Sequence, residues 1–421
     1  MKKNRIIASI EVGSSKISTL IAQVQVDPVT YESTINIVGA ASGESRGVKK
    51  GQIVDIEETV EATVSSVEAA ERMAGYNIDS AFIALGGAHI LSQNSHGVVA
   101  ISNPDGEIGS DDVARAMEAA SAVSLPSSRE VVHVLPREFI VDGESGVKDP
   151  IGMTGVRLEV ETHLVTASSA AIKNLKKAIN EVGIDIEGIV FSAVASAEAA
   201  ITATEKELGC VLIDIGGGTT SVVAYIDGGL AYSGVIPIGA KNVTNDLAIG
   251  LRVSLEGAEK IKLVLSESKK KGAEESDQID ISELGVSEVK KVSKKTLIEG
   301  IIRPRLNEIF TMVRLELEKA GINARVPSGA VITGGGAMTI GAVDCAKRVL
   351  ALPVRIGQPR GVSGLVDDIL NPAFTTAIGL ILYGAKVAPT SEGLTIFARK
   401  IKLPTKGIFG KLIESIKNLL P

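Results

Sequence analysis

Apolar and polar positions alternate cleanly in the first segment. Arg5 to Val12 is an apolar run, Gly13-Ser14-Ser15-Lys16 breaks it, and Ile17 to Val26 is a second run. This pattern predicts a strand, a tight turn and a returning strand, with a third strand over Ile35 to Ala41. Asp55 followed by Glu58 resembles a capping box and predicts a helix running to Gly75. From about 85 to 163 the texture changes. Strand-like pieces (His96 to Ser102, Val131 to Leu135, Val156 to Thr166) surround one helix, Ser110 to Val123. Turn signals such as Asn103-Pro104-Asp105-Gly106 and Asp142-Gly143 are frequent, as expected of a small α+β unit set inside a larger one. A helix from Ser168 to Val182 then ends at Gly183, which suits a left-handed terminus.

The opening theme returns in the second half. Val211 to Ile215 predicts a strand, Gly216-Gly217-Gly218 a turn, Thr220 to Ile226 a returning strand and Leu230 to Pro237 a third. The charged stretch Ser266 to Ser276, with Lys269-Lys270-Lys271, reads as an exposed loop. It is flanked by helices over Leu255 to Leu265 and Ser293 to Ala320. Pro304 in the latter predicts a kink or two abutting helices. A third glycine cluster, Gly334-Gly335-Gly336, follows a strand and precedes a helix.

Composition narrows the class. The chain has 421 residues, 45% hydrophobic and 22% charged, which suits a soluble chain of several domains. There is no Trp, so the core must rest on Ile, Val, Leu and Ala. The net charge of -6 argues against nucleic acid as a partner, since phosphate backbones require a basic surface. Cys210 and Cys345 sit in apolar stretches and read as buried small hydrophobes in a reducing compartment. Met1-Lys2-Lys3 is basic, but Glu11 interrupts the apolar run that follows, so no signal peptide is expected. No stretch approaches the ~20 apolar residues of a spanning helix. His89, His96, His133 and His163 lack ligand spacing and are expected to be structural.

A turn without Cβ atoms lets backbone N–H groups converge on phosphate oxygens. Gly13, Ser14, Ser15 and Lys16 add two hydroxyls and an ammonium; Gly216, Gly217, Gly218, Thr219 and Thr220 add two more hydroxyls. Facing each other, these turns would grip a polyphosphate, with Glu11 and Asp214 holding Mg²⁺ through its waters. Read singly, each cluster is equally a plain hairpin turn. No G-x-x-x-x-G-K-[ST] occurs, and no G-x-G-x-x-G with a downstream ribose-binding acid, which excludes Walker-type and Rossmann sites.

The two hairpin turns, Ile10-Glu11-Val12-Gly13 and Asp214-Ile215-Gly216-Gly217-Gly218-Thr219-Thr220, resemble the phosphate loops of the actin/Hsp70/sugar-kinase superfamily. Thr333-Gly334-Gly335-Gly336 resembles its adenosine loop. Ala193 to Thr202 and Pro372 to Tyr383 fall where that superfamily has its connecting helices. Within it the chain is most similar to the FtsA family of bacterial division-ring proteins. The phrases that carry this are Ser45-Arg46-Gly47-Val48-Lys49-Lys50-Gly51, Pro150-Ile151-Gly152-Met153-Thr154-Gly155-Val156-Arg157, Glu207-Leu208-Gly209 and Arg355-Ile356-Gly357.

The resemblance implies an α/β, two-lobed actin-like fold of duplicated ribonuclease H-like domains, with an inserted subdomain in the first lobe. Subdomain 1A would comprise 1–84, 164–191 and 359–386, and the inserted subdomain 1C residues 85–163. Subdomain 2A would take 192–237 and 321–358, and 2B residues 238–320. A linker, 387–405, would precede an amphipathic helix at 406–421. The cofactors implied are ATP and Mg²⁺. Implied partners are the FtsZ C-terminal tail, other copies of the chain in a filament, and further division proteins through the inserted subdomain. The implied place is the cytoplasmic face of the membrane at the division site. The family holds the FtsZ tail on its fourth subdomain, which points to Lys294, Lys295, Arg303 and Arg305; a solvated helix face is the other reading of that basic cluster.

Two departures bear on catalysis. Actin-like ATPases usually start the first loop with Asp, where this chain has Glu11. The first connecting segment, Phe191-Ser192-Ala193-Val194-Ala195, holds no Glu or Gln to position water until Glu198, and Ser221 stands where an Asp often follows the second loop. Phosphoryl transfer depends on positioning and electrostatics, so ATP binding is expected with hydrolysis slow or absent.

At the C-terminal end, Ile408, Phe409, Leu412, Ile413, Ile416, Leu419 and Leu420 fall within an arc of roughly 140° on a helix. Lys411 and Lys417 lie on the opposite side with Lys406 just upstream, suiting an anionic membrane surface. The alternative is a helix docked on the protein's own core. Two other functions of the same superfamily stay open: a PilM-like adaptor of a membrane assembly, or a small-molecule kinase.

Overall fold

The computed structural model describes residues 4–26, 33–268, 277–282, 291–365 and 369–387. The chain divides into two units, 1–385 and 386–421; only Lys386 and Val387 of the second are described.

Two sheets in the first unit share one plan. In the first, Asn4–Val12, Lys16–Val26 and Ser33–Glu44 form an antiparallel meander. Ser80–Leu85 and then Asp185–Phe191 add in parallel on the other side of Asn4–Val12, and Ser363–Gly364 closes the far edge. In the second, Cys210–Ile215, Thr220–Ile226 and Gly229–Ile236 form the meander, and Ala330–Thr333 and Val354–Ile356 are the parallel additions. The first chain reversal of each meander is one of the glycine turns, so both turns stand at equivalent ends of equivalent strands. Of the parallel strands, Ser80–Leu85 and Ala330–Thr333 are buried on both faces, which explains their unbroken apolar sequences.

Helices cover these sheets. Ile56–Ala74 starts where Asp55 accepts the N–H of Glu58 at 3.0 Å and stops at Gly75 with φ +80°. That matches the expected start and end. Ser169–Glu181 is followed by Gly183 at φ +89°, again as the sequence suggests. Ser192–Ala200 and the first half of Thr375–Val387 are almost wholly buried and run between the two sheets. The expected helix Ser293 to Ala320 is divided into Lys294–Leu297, a π-turn over Ile298–Ile302, and Arg303–Lys319. The Arg303 N–H reaches back to Ile298 O, which widens the turn. Pro304 directly follows this wider turn, which relaxes the close approach between its ring and the helical turn behind it.

A four-stranded antiparallel sheet, ordered Leu91–Ala100, Arg157–Ser168, Arg129–Val141, Glu144–Val147, carries the helix Ser110–Ser121 on one face. Its strands are longer than the sequence suggests, because polar residues such as Ser92, Gln93 and Asn94 mask one end. Asp142 and Gly143, at φ +49° and +91°, turn the last hairpin.

Three apolar cores result: one on the first sheet that also takes in Leu212, Val223 and Val331 of the second, one on the other face of the second sheet around Val211, Ile213 and Ile332, and one in the inserted sheet. Among the largest fully buried side chains only Phe191 and Phe310 are aromatic; the rest are Ile and Leu. Cys210 and Cys345 are buried and unpaired. No described helix is long and apolar enough to cross a membrane.

Candidate functional site

The two glycine turns close with the same hydrogen bond. Gly13 N–H donates to Lys16 O at 3.0 Å, and Gly216 N–H to Thr219 O at 2.9 Å. They also meet. A Cβ on Gly217 would overlap Ser15 Oγ, and one on Gly218 would lie 2.8 Å from Ser14 Oγ. Only glycine lets the second turn approach the first this closely. Lys241 fastens the pair: its N–H donates to Gly217 O at 2.8 Å and its Nζ to Ser14 O at 2.7 Å. Thr220 Oγ1 donates to Ile238 O at 2.8 Å, so that hydroxyl serves the fold.

The third turn packs on the second. A Cβ on Gly334, at φ +79°, would overlap Asp214 Oδ1, and one on Gly336 would overlap Ile215. Gly335 meets only Ala373, at an ordinary 3.8 Å.

Glu11 and Asp214 come together here. Asp214 Oδ2 accepts hydrogen bonds from Ser196 Oγ at 2.6 Å and Thr376 Oγ1 at 3.2 Å, and those hydroxyls are 3.0 Å apart. Each rides on one of the two long buried helices, so both helices converge on one carboxylate. Burial pushes Asp214 upward in pKa, with Ser196, Thr376 and Lys16 opposing. Glu11 is only half-buried overall, yet its Oε2 is shielded from solvent and has no hydrogen-bond partner. Burial raises Glu11 to about 7; Lys16 opposes this, Asp214 adds to it and the Thr376 hydroxyl opposes it. The Lys16 ammonium is likewise shielded and without a hydrogen-bond partner, 3.6 Å from the centre of the Phe374 ring. Burial holds its pKa down, against the pull of Glu11 and Asp214.

This chemistry fits a magnesium polyphosphate. A buried ammonium and a buried carboxylate oxygen, each short of partners, flank two turns that tolerate close approach. A cation held by two carboxylates would keep most of its coordination sphere for water and phosphate. Among the described residues no cluster of three or more His, Cys, Asp or Glu side chains could hold a metal.

Sequence reasoning missed Ser196, Thr376 and Lys241. It marked the segments carrying the first two only as connecting helices. Glu198, the first acid of that segment, bonds Lys206 Nζ at 2.7 Å and is committed there.

The basic cluster is partly committed too. Arg305 grips Asp246 with two hydrogen bonds, 2.6 and 3.0 Å, and also pairs with Glu308. Arg303 pairs with Glu299 at 3.3 Å and approaches Asp344 at 3.8 Å. Lys294 and Lys295 stand at the start of their short helix, and both backbone N–H groups bond Asp277. The amphipathic stretch, Ile408 to Leu420 with Lys411 and Lys417, and the lysine loop at 269–271 lie outside the described residues.

A family model described as "SHS2 domain inserted in FTSA" matches residues 87–166, and one described as "Cell division protein FtsA" matches 211–379. Curated relatives named cell division protein FtsA include one from Pseudomonas aeruginosa, 37% identical over 94% of this chain and 93% of its own. One from Bacillus subtilis is 36% identical over 97% of this chain and 89% of its own. Among solved structures, a PilM-PilN type IV pilus biogenesis complex superposes with TM-score 0.62 at 18% identity, covering 90% of this chain and 98% of that one. MreB5 of Spiroplasma citri bound to ADP gives 0.51 at 14%, covering 91% and 96%. At such identities these structures speak for the actin-like fold alone.

Proposed function

The chain belongs to the FtsA family of cell division proteins, and from that premise we propose that it is an ATP-binding, filament-forming tether for FtsZ at the cytoplasmic membrane. The observation that carries the nucleotide part is the meeting of three glycine turns with Glu11, Asp214 and Lys16.

In this reading Gly13 to Lys16 and Gly216 to Thr220 cradle the phosphates, and Gly334 to Gly336 the adenosine. Glu11 and Asp214 orient the waters of Mg²⁺, whose chemistry is to neutralise the phosphate charge. Ser196 and Thr376 hold Asp214 in its rotamer. With Glu198 occupied by Lys206, no carboxylate of the first connecting helix is left to align water, so turnover is slow or absent and ATP acts as a gate for assembly.

The assignments of subdomains follow the same reading: 1A at 1–84, 164–191 and 359–386, 1C at 85–163, 2A at 192–237 and 321–358, and 2B at 238–320. Subdomain 2B presents Lys294, Lys295 and Arg303 to the acidic FtsZ tail. Arg305, held by Asp246, would have to exchange partners to join them. The helix at 406–421 lays its apolar face in the membrane, and assembly multiplies this weak anchor.

The test is vesicle co-sedimentation with electron microscopy, with and without ATP, comparing the full chain with one ending at Pro404. ATP-dependent filaments that lose the vesicles on truncation are expected. Truncated filaments that still coat vesicles would remove the anchor from this reading, and absence of filaments with ATP would remove the gate.

A further inference from the structure

Residues 47–55 form a small built hairpin. Val48–Lys49 pairs with Gln52–Ile53, and Gly47 O accepts the N–H groups of Val54 and Asp55 at 2.8 and 3.1 Å. Its tip is Lys50-Gly51, at φ +49° and +72°. Two consecutive left-handed residues make the turn that normally takes Asn-Gly. Lysine at the first place is disfavoured on backbone grounds, and nothing within the hairpin compensates.

The tip is packed on both glycine turns. Gly51 N–H donates to Ser14 Oγ at 2.8 Å, in the first turn. A Cβ on Gly218, in the second turn, would lie 3.0 Å from Lys50 Cα. On its far side the tip lies against the root of the inserted sheet, where a Cβ on Gly51 would stand 2.7 Å from Gly87 N. A strained tip held on three sides points to a role for the exposed side chain it carries.

Two other lysines at the turns are committed. Lys16 has its ammonium buried over Phe374, and Lys241 donates its own to Ser14 O. Lys50 is exposed and makes no ion pair among the described residues. Its Cα stands beside the place where the two turns meet, within a side chain's length of both, and a lysine rooted there can act as a mobile point charge for phosphate.

We propose that Lys50 is a third phosphate-contacting group, reading the terminal phosphate of a nucleoside triphosphate and leaving the diphosphate untouched. This rests on the nucleotide reading of the two turns. It adds a residue from outside them and a specificity, triphosphate over diphosphate.

The experiment measures binding of fluorescent ATP and ADP to the full chain with Mg²⁺, for the parent, Lys50→Asn, Lys50→Gly and Lys49→Asn. Asn and Gly both accept positive φ, so thermal unfolding without nucleotide should stay at or above that of the parent. Both Lys50 variants should bind ATP about tenfold more weakly, the loss of one charge-assisted contact, and ADP within about twofold of the parent. Lys49→Asn, which removes a neighbouring charge, should change neither. Unchanged ATP affinity in the Lys50 variants would overturn the proposal. So would an equal loss for ATP and ADP, which would make Lys50 a general electrostatic contributor. A parent that binds neither nucleotide would instead defeat the nucleotide reading itself, and this proposal with it.

Discussion

Glu11 carries a carboxylate into a place that disfavours its charge. Its folded pKa of about 7 lies above the ordinary 4.5, so the folded protein favours the neutral acid. The stability this contributes is complete below the unfolded pKa and is lost as pH rises through about 7, at most about 3 kcal/mol. In urea titrations without nucleotide, the parent should lose up to about 3 kcal/mol relative to Glu11→Gln as pH rises from about 4.5 to 7, a difference in which the histidines common to both chains cancel. Asp214 differs in having two hydroxyl donors. Ser196→Ala removes the shorter bond and should cost about 1–3 kcal/mol, measured by chemical denaturation; it should also weaken ATP binding, since Asp214 is left free to turn. The glycine turns were legible in the sequence because runs of Gly beside an acid are unusual and local. Ser196 and Thr376 were not, because hydroxyls are common on helices. Only the crossing of two helices, 180 residues apart in the chain, brings these to one carboxylate.

Those two helices make contact at Ala195 and Gly379. A Cβ on Gly379 would overlap Ala195 O, a backbone atom with no rotamer to yield. Gly379→Ala gains about 1 kcal/mol of helix propensity. Forcing two buried helices apart costs more, on the order of 3 kcal/mol, so the variant should be clearly destabilised. A urea midpoint equal to that of the parent would mean the crossing is looser than the contact implies. The elements that sequence reasoning found share a local signature: the first hairpin alternates around a turn, Asp55 caps its helix, and Pro304 marks a break. It passed over Ser80–Leu85 and Asp185–Phe191, the two parallel strands of the first sheet, and the helix Ala240–Leu251. A short run such as Ser-Ala-Phe-Ile-Ala-Leu has no period to read, because both of its faces are buried. Its place as a strand is decided by pairing with Asn4–Val12, seventy residues away in the chain and invisible locally.

At the scale of the whole molecule, the inserted sheet is joined to its neighbours through histidines. His133 Nε2 accepts the N–H of Phe191, at the edge of the first sheet, at 2.9 Å. His163 sits between Asn94 Oδ1 at 2.7 Å and Ser233 Oγ at 2.8 Å, and Ser233 belongs to the edge strand of the second sheet. Burial lowers both histidines to about 4, and Arg137 and His133 add to this at His163. The neutral ring is required at His133, since a proton on Nε2 would face the donor it now accepts. In the unfolded chain both residues protonate near pH 6.5, so the unfolded state binds more protons between 6.5 and about 4, and stability falls as pH falls through that window. Each histidine contributes up to roughly 3 kcal/mol of this loss. The three apolar cores carry no such group at their centres, so acid should release the joints before it melts the sheets. Hydrogen exchange at pH 5 should therefore show Leu91–Ala100 losing protection ahead of Cys210–Ile215. His163→Gln, which cannot be charged, should shift the onset of that loss to lower pH. Simultaneous loss in both strands would mean that the inserted sheet and the second sheet unfold as one body, with the histidines as incidental members of a continuous core.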